Sequence, residues 1–124
     1  MGSITKPKPL IEKTAPEVGQ MLKADDVDVA FLTPVWPMCN QSVGLIQRAV
    51  EETGISTTSI TLDESITKKV KPPRVLSVPY RFGYPLGEPD NPELQHVVIA
   101  EALALLTDEA PLPILKSSRQ HHLS

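Results

Sequence analysis

The stretch Val27 to Thr33, VDVAFLT, carries apolar side chains at every position from Val29 to Leu32. So short and continuous a run predicts a strand of a parallel sheet, covered on both faces. The period then changes. In NQSVGLIQRAVEETG, Val43, Ile46 and Val50, with Leu45 and Ala49 beside them, recur at helical spacing and predict a helix over residues 40–53. Asn40 suits its N-cap, and Gly54 suits its C-terminal stop. Ile55 to Leu62, ISTTSITL, is β-branched almost throughout and predicts a second strand. Asp63 can cap a short helix over ESITKKV, which Pro72-Pro73 ends. Arg74 to Tyr80, RVLSVPY, predicts a third strand. Asn91 and Pro92 then open a last helix, to about residue 106, with Leu94, Val98, Ala102 and Leu105 on one face and Val97 alongside. Upstream, APEVGQMLKADD (Ala15 to Asp26) predicts a short helix with Val18, Met21 and Leu22 on one side, interrupted by Gly19.

The order β-α-β-α-β-α makes the strands parallel and the crossovers right-handed. The expected fold is α/β, a three-layer sandwich around a small parallel sheet. Residues 1–15, rich in Lys, Pro and Thr, read as an extended arm, and residues 16–107 as a single α/β domain. Residues 108–124, DEAPLPILKSSRQHHLS, read as a flexible C-terminal tail. There is no internal repeat.

Composition narrows the function classes. A length of 124 residues allows one domain. With one Trp, two Tyr and two Phe, the core must be aliphatic. The net charge of −3 gives no electrostatic reason to expect nucleic acid or an anionic membrane as partner. No stretch approaches the roughly 20 apolar residues that span a bilayer, and MGSITKPKPLIEK lacks the apolar run of a signal peptide. A single cysteine cannot form an internal disulfide, so a reducing, cytoplasmic location is expected.

In a parallel sheet, loops leaving the carboxyl ends of the strands converge on one edge, where ligands bind. Two such loops stand out: TPVWPMCN after the first strand and PYRFGYPLGEPDNP after the third. Cys39 lies at the expected helix start, a place that favours a thiolate. The plainer reading of Cys39 is a small buried hydrophobe. The second loop brings Arg81, Tyr84, Glu88 and Asp90 to the same edge. Arg81 either holds a carboxylate substrate or is a solvated charge. His96, His121 and His122 are remote from Cys39 in sequence, and no metal-ligand pattern is present. There is no phosphate-binding glycine loop; Gly44, inside the helix, is expected to allow close helix–sheet packing.

Three stretches carry a resemblance: LTPVWPMCNQSVGLIQRAVEETGISTTSIT, KPPRVLSVPYRFGYPLGEPDNPELQ and the closing ALALL. From about Val27 to Leu106 the chain resembles the selenoprotein B family of glycine, sarcosine, betaine and D-proline reductases, and within it the short D-proline-reductase-type members. In selenium-containing members a selenocysteine stands three residues before a cysteine, in the loop after the first strand. Laid on this sequence, the selenocysteine falls on Trp36 and its partner on Cys39. An indole is neither nucleophile nor redox centre. Selenocysteine is encoded by UGA, one base from the tryptophan codon UGG, so the expectation is that Trp36 replaces a selenocysteine. The alternative is a genuine tryptophan in a catalytically dead paralogue.

The resemblance implies an oxidoreductase subunit that cleaves a C–N bond of an amino acid or related amine, inactive while Trp36 occupies the redox position. It implies catalytic roles for positions 36 and 39 and leaves substrate binding to Arg81, Tyr84 and Glu88. It implies no cofactor in this chain, a pyruvoyl group on a partner subunit to bind the amine, and a thiol reductant. Self-association stays open. Two other classes compete: a thiol-dependent redox or binding protein without amine reduction, and a non-catalytic structural subunit whose third-strand loop docks on a partner.

Overall fold

The Ser, Thr and Ile residues after Gly54 form the most enclosed strand of a four-stranded sheet. The computed structural model describes residues 13–119. Its strands are β1 (Val29–Leu32), β2 (Ser56–Thr61), β3 (Arg74–Ser77) and β4 (Ile114–Ser117), paired in the order β1-β2-β3-β4 and parallel throughout. The helices are α1 (Ala15–Ala24), α2 (Pro37–Glu52), α3 (Glu64–Val70) and α4 (Pro92–Ala104), the last followed by a 3₁₀ turn over Leu105–Thr107. The α/β fold read from the sequence is the one observed. None of these helices is long and apolar enough to cross a membrane.

Alternation along the strands sends side chains to two layers. Ala30 and Leu32 of β1 face Ile46 and Val50 of α2, with Ala15, Val18 and Leu22 of α1 behind them. Phe31, Ile60, Leu76 and Ile114 face the other way, onto Leu94, Val98 and Ala102 of α4 and Leu105 of the 3₁₀ turn. The helices of the first two crossovers, α2 and α3, share one face, and α4 covers the other. The expectation that every crossover is right-handed does not hold: the strand order follows chain order while α4 lies on the other face, so the β3–α4–β4 crossover has the opposite hand to the two before it. The physical reason is occupancy: α1 to α3 already cover the first face, so the apolar stripe of α4 must bury itself on the second.

Several local expectations hold. Asp63 caps α3, its carboxylate accepting from Ser65 N–H at 3.0 Å and Ile66 N–H at 3.4 Å. Asn91 caps α4 through Leu94 N–H, with Pro92 in the first turn. Gly54 follows α2 with φ +95°, the left-handed conformation that a glycine stop supplies. The third strand ends at Ser77 rather than Tyr80, because Pro79 has no N–H to continue the ladder.

Others need correction. The stretch read as a flexible tail contains β4: Ile114 is buried, Ile114 N–H donates to Pro73 O at 2.8 Å, and Ser118 N–H donates to Ser77 O at 2.7 Å. Two prolines and three serines hid this strand in a composition that reads as disorder. Residues 1–12 of the expected N-terminal arm, and His121 and His122 of the tail, lie outside the described residues. Gly19 does not interrupt α1 but lets it close on α2, since a Cβ there would stand 2.9 Å from Thr53 Cγ2. Gly44 permits helix–helix rather than helix–sheet packing: a Cβ would stand 2.7 Å from Val70 Cγ1 at the end of α3.

Candidate functional site

The chain leaves β1 through Thr33 and the buried Pro34 and reaches α2 in four residues. Pro37 sets the helix start. Its ring holds φ near the helical value, and position N1 has no intrahelical use for an N–H. Trp36 is therefore the N-cap, extended at φ −122° and ψ 168°, with no side-chain cap hydrogen bond. This corrects the expected boundary: α2 begins at Pro37, and Cys39 lies within its first turn. Cys39 is a free, partly exposed thiol, and its N–H donates to Trp36 O at 3.0 Å. Residues three apart on a helix surface are neighbours, so positions 36 and 39 flank one turn.

Asn40, expected to cap the helix, is instead 4% exposed and turned toward the sheet. Its Nδ2 donates to Trp36 O at 3.0 Å. Its Oδ1 accepts from Leu62 N–H and from Thr61 Oγ1, each at 3.0 Å. Thr61 Oγ1 in turn accepts from Thr67 Oγ1 at 2.6 Å and from Asp63 N–H at 3.0 Å. A buried chain of side-chain hydrogen bonds thus runs from the α2 mouth across the end of β2 to α3. Asn40, Thr61 and Thr67 escaped the sequence reading, because a polar residue after a candidate helix start and threonines in a β-branched run each have a simpler explanation.

The loops after β1 and β3 meet. Gly83 N–H donates to Val35 O at 2.7 Å. The Trp36 indole, 57% exposed, lies over Gly83, where a Cβ would stand 3.5 Å from its Cη2. Gly83 and Gly87 both have positive φ, at +91° and +89°, so the loop bends where only glycine bends without strain. Within it, Tyr84 N–H donates to Arg81 O and Gly87 N–H to Tyr84 O, each at 3.1 Å. The Arg81 guanidinium lies 5.2 Å from the centroid of the exposed Tyr84 ring, within cation–π range. Glu88 is exposed, and its carbonyl accepts from Gln95 Nε2 of α4 at 3.2 Å. Asp90 is exposed and left-handed, with φ +58°. The structure therefore places Trp36 between the first turn that carries Cys39 and the Gly83 backbone, and pairs Arg81 with Tyr84, while Glu88 is tied through its backbone to α4.

Two titratable groups near this edge are perturbed. The Ser65 hydroxyl, aided by the N–H groups of Ile66 and Ser65 and working against partial desolvation, holds the Asp63 carboxyl below its ordinary range. Burial first, and Glu101 second, push the Tyr80 hydroxyl above its usual value. That hydroxyl is buried beneath the second loop without a hydrogen-bond partner. No group of three or more His, Cys, Asp or Glu side chains placed to hold a metal occurs among the described residues.

No family model matches the chain, and no solved structure matches it. One comparison is informative. Over 108 residues, 87% of its length, the chain is 33% identical to the protein named D-proline reductase subunit gamma of Acetoanaerobium sticklandii. The matched region covers 45% of that protein, so the chain spans a little under half the length of this curated relative. Across most of its own sequence, then, the chain is similar to a protein named as a D-proline reductase subunit.

Proposed function

We propose that the chain works as the redox-loop portion of a selenol- or thiol-dependent amino-acid reductase. Its reaction is reductive cleavage of a C–N bond in an amino acid or related amine. The observation that carries this reading is the 33% identity to a D-proline reductase subunit over 87% of the chain. Position 36 is the redox position, and Trp36 stands there in place of a selenocysteine. The geometry of the N-cap supports this. An indole offers an N–H donor and no acceptor, so the cap goes unfilled by a side chain. A selenolate or thiolate at that position would accept from first-turn N–H groups and lie at the positive end of a 16-residue helix.

The chemistry balances as follows. The chalcogenolate at position 36 forms a bond to the substrate carbon while the C–N bond breaks and nitrogen leaves with the electron pair. The Cys39 thiolate then attacks the chalcogen, forming a chalcogen–sulfur bond, and the released carbon takes a proton. A dithiol reductant returns two electrons and two protons to the pair. Arg81 and Tyr84 bind the substrate carboxylate end, with Glu88 at the far side of the loop. A partner subunit bearing a pyruvoyl group holds the amine, in a cytoplasmic complex. With Trp36 in place the first bond cannot form, and the chain is inactive.

The test assembles the chain with the pyruvoyl-bearing partner of a D-proline reductase and a dithiol, and measures reductive opening of D-proline. The Trp36→Cys chain should turn over slowly, and the unaltered and Trp36→Cys/Cys39→Ser chains not at all. Absence of turnover by Trp36→Cys, where the relative's own gamma subunit is active, overturns the reading. A second reading, a non-catalytic subunit, is favoured by one observation: α4 exposes Val97 and Leu103, at 42% and 40%. Co-purification with the partner but no turnover by Trp36→Cys is its signature.

A further inference from the structure

We infer that Asn40 is a positioning residue for the pair at positions 36 and 39, acting by clamping the carbonyl of residue 36 to the end of β2. The inference rests on the reading of position 36 as a redox position. Asn40 acts on the pair through the backbone between them, not through their side chains.

The geometry makes Asn40 a two-sided bridge. Its amide nitrogen donates to Trp36 O at 3.0 Å and more weakly to Pro37 O at 3.5 Å, both in the first turn of α2. Its amide oxygen accepts from Leu62 N–H and Thr61 Oγ1 at the exit of β2. The Trp36 carbonyl therefore has two donors, Asn40 Nδ2 and Cys39 N–H. Two donors on one carbonyl fix the peptide plane that follows residue 36, and so the direction in which its side chain leaves relative to Cys39. Closing a bond between residues 36 and 39 needs their β-carbons within roughly 3.5–4.5 Å, closer than the ordinary spacing of a helical turn. A turn held at its first carbonyl keeps the two positions near one another. Without Asn40, Cys39 N–H alone holds that carbonyl, and the turn is less tightly fixed.

A buried asparagine has a simpler role as a core hydrogen-bond group, and the experiment must separate the two. In the 124-residue Trp36→Cys chain, the disulfide between positions 36 and 39 is equilibrated with glutathione. Each closure removes two electrons and two protons from the thiol pair and reduces one glutathione disulfide to two thiols. The equilibrium constant is read by acid trapping and mass spectrometry. Adding Asn40→Leu should lower that constant at least fivefold. Thr58→Val is the control: Thr58 is fully buried on the opposite face and donates to Ala102 O at 2.8 Å, so it loses a comparable hydrogen bond without touching the turn. It should leave the constant within twofold of the parent.

Should Asn40→Leu fail to fold, Asn40→Asp carries the test. It keeps the acceptor contacts to Thr61 and Leu62 and replaces the donor facing the residue 36 carbonyl with a carboxylate oxygen that repels it, and it should shift the constant in the same direction. A folded Asn40 variant that matches its parent within twofold overturns the inference, as does an equal shift in Thr58→Val. A parent Trp36→Cys chain that never forms the disulfide overturns the redox reading itself, and Asn40 falls with it.

Discussion

The two faces of the sheet are built from different chemistry. On the α4 side, Ile60, Leu76, Val78, Val98, Ala102, Leu105 and Ile114 make a continuous aliphatic core. Thr58 is a fully buried hydroxyl there, satisfied by Ala102 O. On the α2–α3 side, beside the smaller apolar cluster of Ile46, Val50 and Ile55, the buried residues are polar: Thr57, Ser59 and Thr61 of β2 and Asn40, Ser42 and Gln47 of α2. Arg74 Nη1 pairs with Glu51 Oε1 at 2.7 Å, Glu51 Oε2 accepts from Thr57 N–H and Oγ1, and Gln47 Nε2 donates to Arg74 O at 2.9 Å. An apolar face gains stability roughly in proportion to buried area and tolerates sliding. A hydrogen-bonded face gains little net energy but penalises any displacement that leaves a partner unpaired. The candidate redox turn is mounted on the second kind of face, where α2 has one register against β2 and β3.

The largest effect should come from the aliphatic side. Ile60→Ala removes the centre of that core and should cost about 2–5 kcal/mol, measured by urea unfolding. Next is the ion pair on the polar side. Glu51→Ala leaves Arg74 without its carboxylate and Thr57 without an acceptor, and should cost about 1–3 kcal/mol, below the range for fully buried pairs because Arg74 and Glu51 keep 15% and 23% of their side-chain exposure. The pair Glu51→Leu with Arg74→Met should recover most of that loss. If it does not, the polar face contributes energy rather than register, and the contrast between the faces fails.

A smaller effect tests the capped end of α3. Asp63→Ala removes the acceptor for two N–H groups and should cost about 1 kcal/mol. The Asp63 carboxyl is held below its unfolded value, chiefly by Ser65. Its contribution is therefore present above the unfolded pKa and is lost as pH falls through the folded one. The stability difference between the two proteins should accordingly shrink in strong acid; a difference independent of pH would mean that the cap acts without its charge. Smallest is Tyr80→Phe, which removes a buried, unpartnered hydroxyl. It should be neutral or stabilising by up to about 1 kcal/mol. Because burial raises the Tyr80 pKa, its contribution is complete below the unfolded value and lost as pH rises through the folded one, so the Phe variant should also resist alkaline unfolding better.

How much of this was legible beforehand depended on whether a signal was local. Val29 to Leu32, the stripe through Ile46 and Val50, the Asp63 and Asn91 caps and the Gly54 stop each announce themselves within a few residues, and the elements they predict are present. The β4 strand did not, because Ile114 and Leu115 are two apolar residues among prolines and serines, and only β3 alongside makes them a strand. The start of α2 was misjudged by three residues, because Asn40 has the side chain of a cap. In the folded chain, Thr61 and Leu62 offer that amide better partners than the helix end does. The candidate site divides the same way. Trp36, Cys39 and the long loop after β3 could be placed on one edge from strand order alone, since parallel strands point their carboxyl ends together.

By itself, then, the sequence determined the first three strands, their parallel order and the approximate helices between them, all consequences of periodicity and turn chemistry. Tertiary structure alone decided that Gly83 closes on Val35, that Asn40 bridges α2 to β2, and that Glu51 finds Arg74 across 23 residues of chain. Those contacts join polar groups far apart in sequence. A polar group carries no periodic signature of its partner, because a hydrogen bond is satisfied by position and direction and by nothing that neighbouring residues encode.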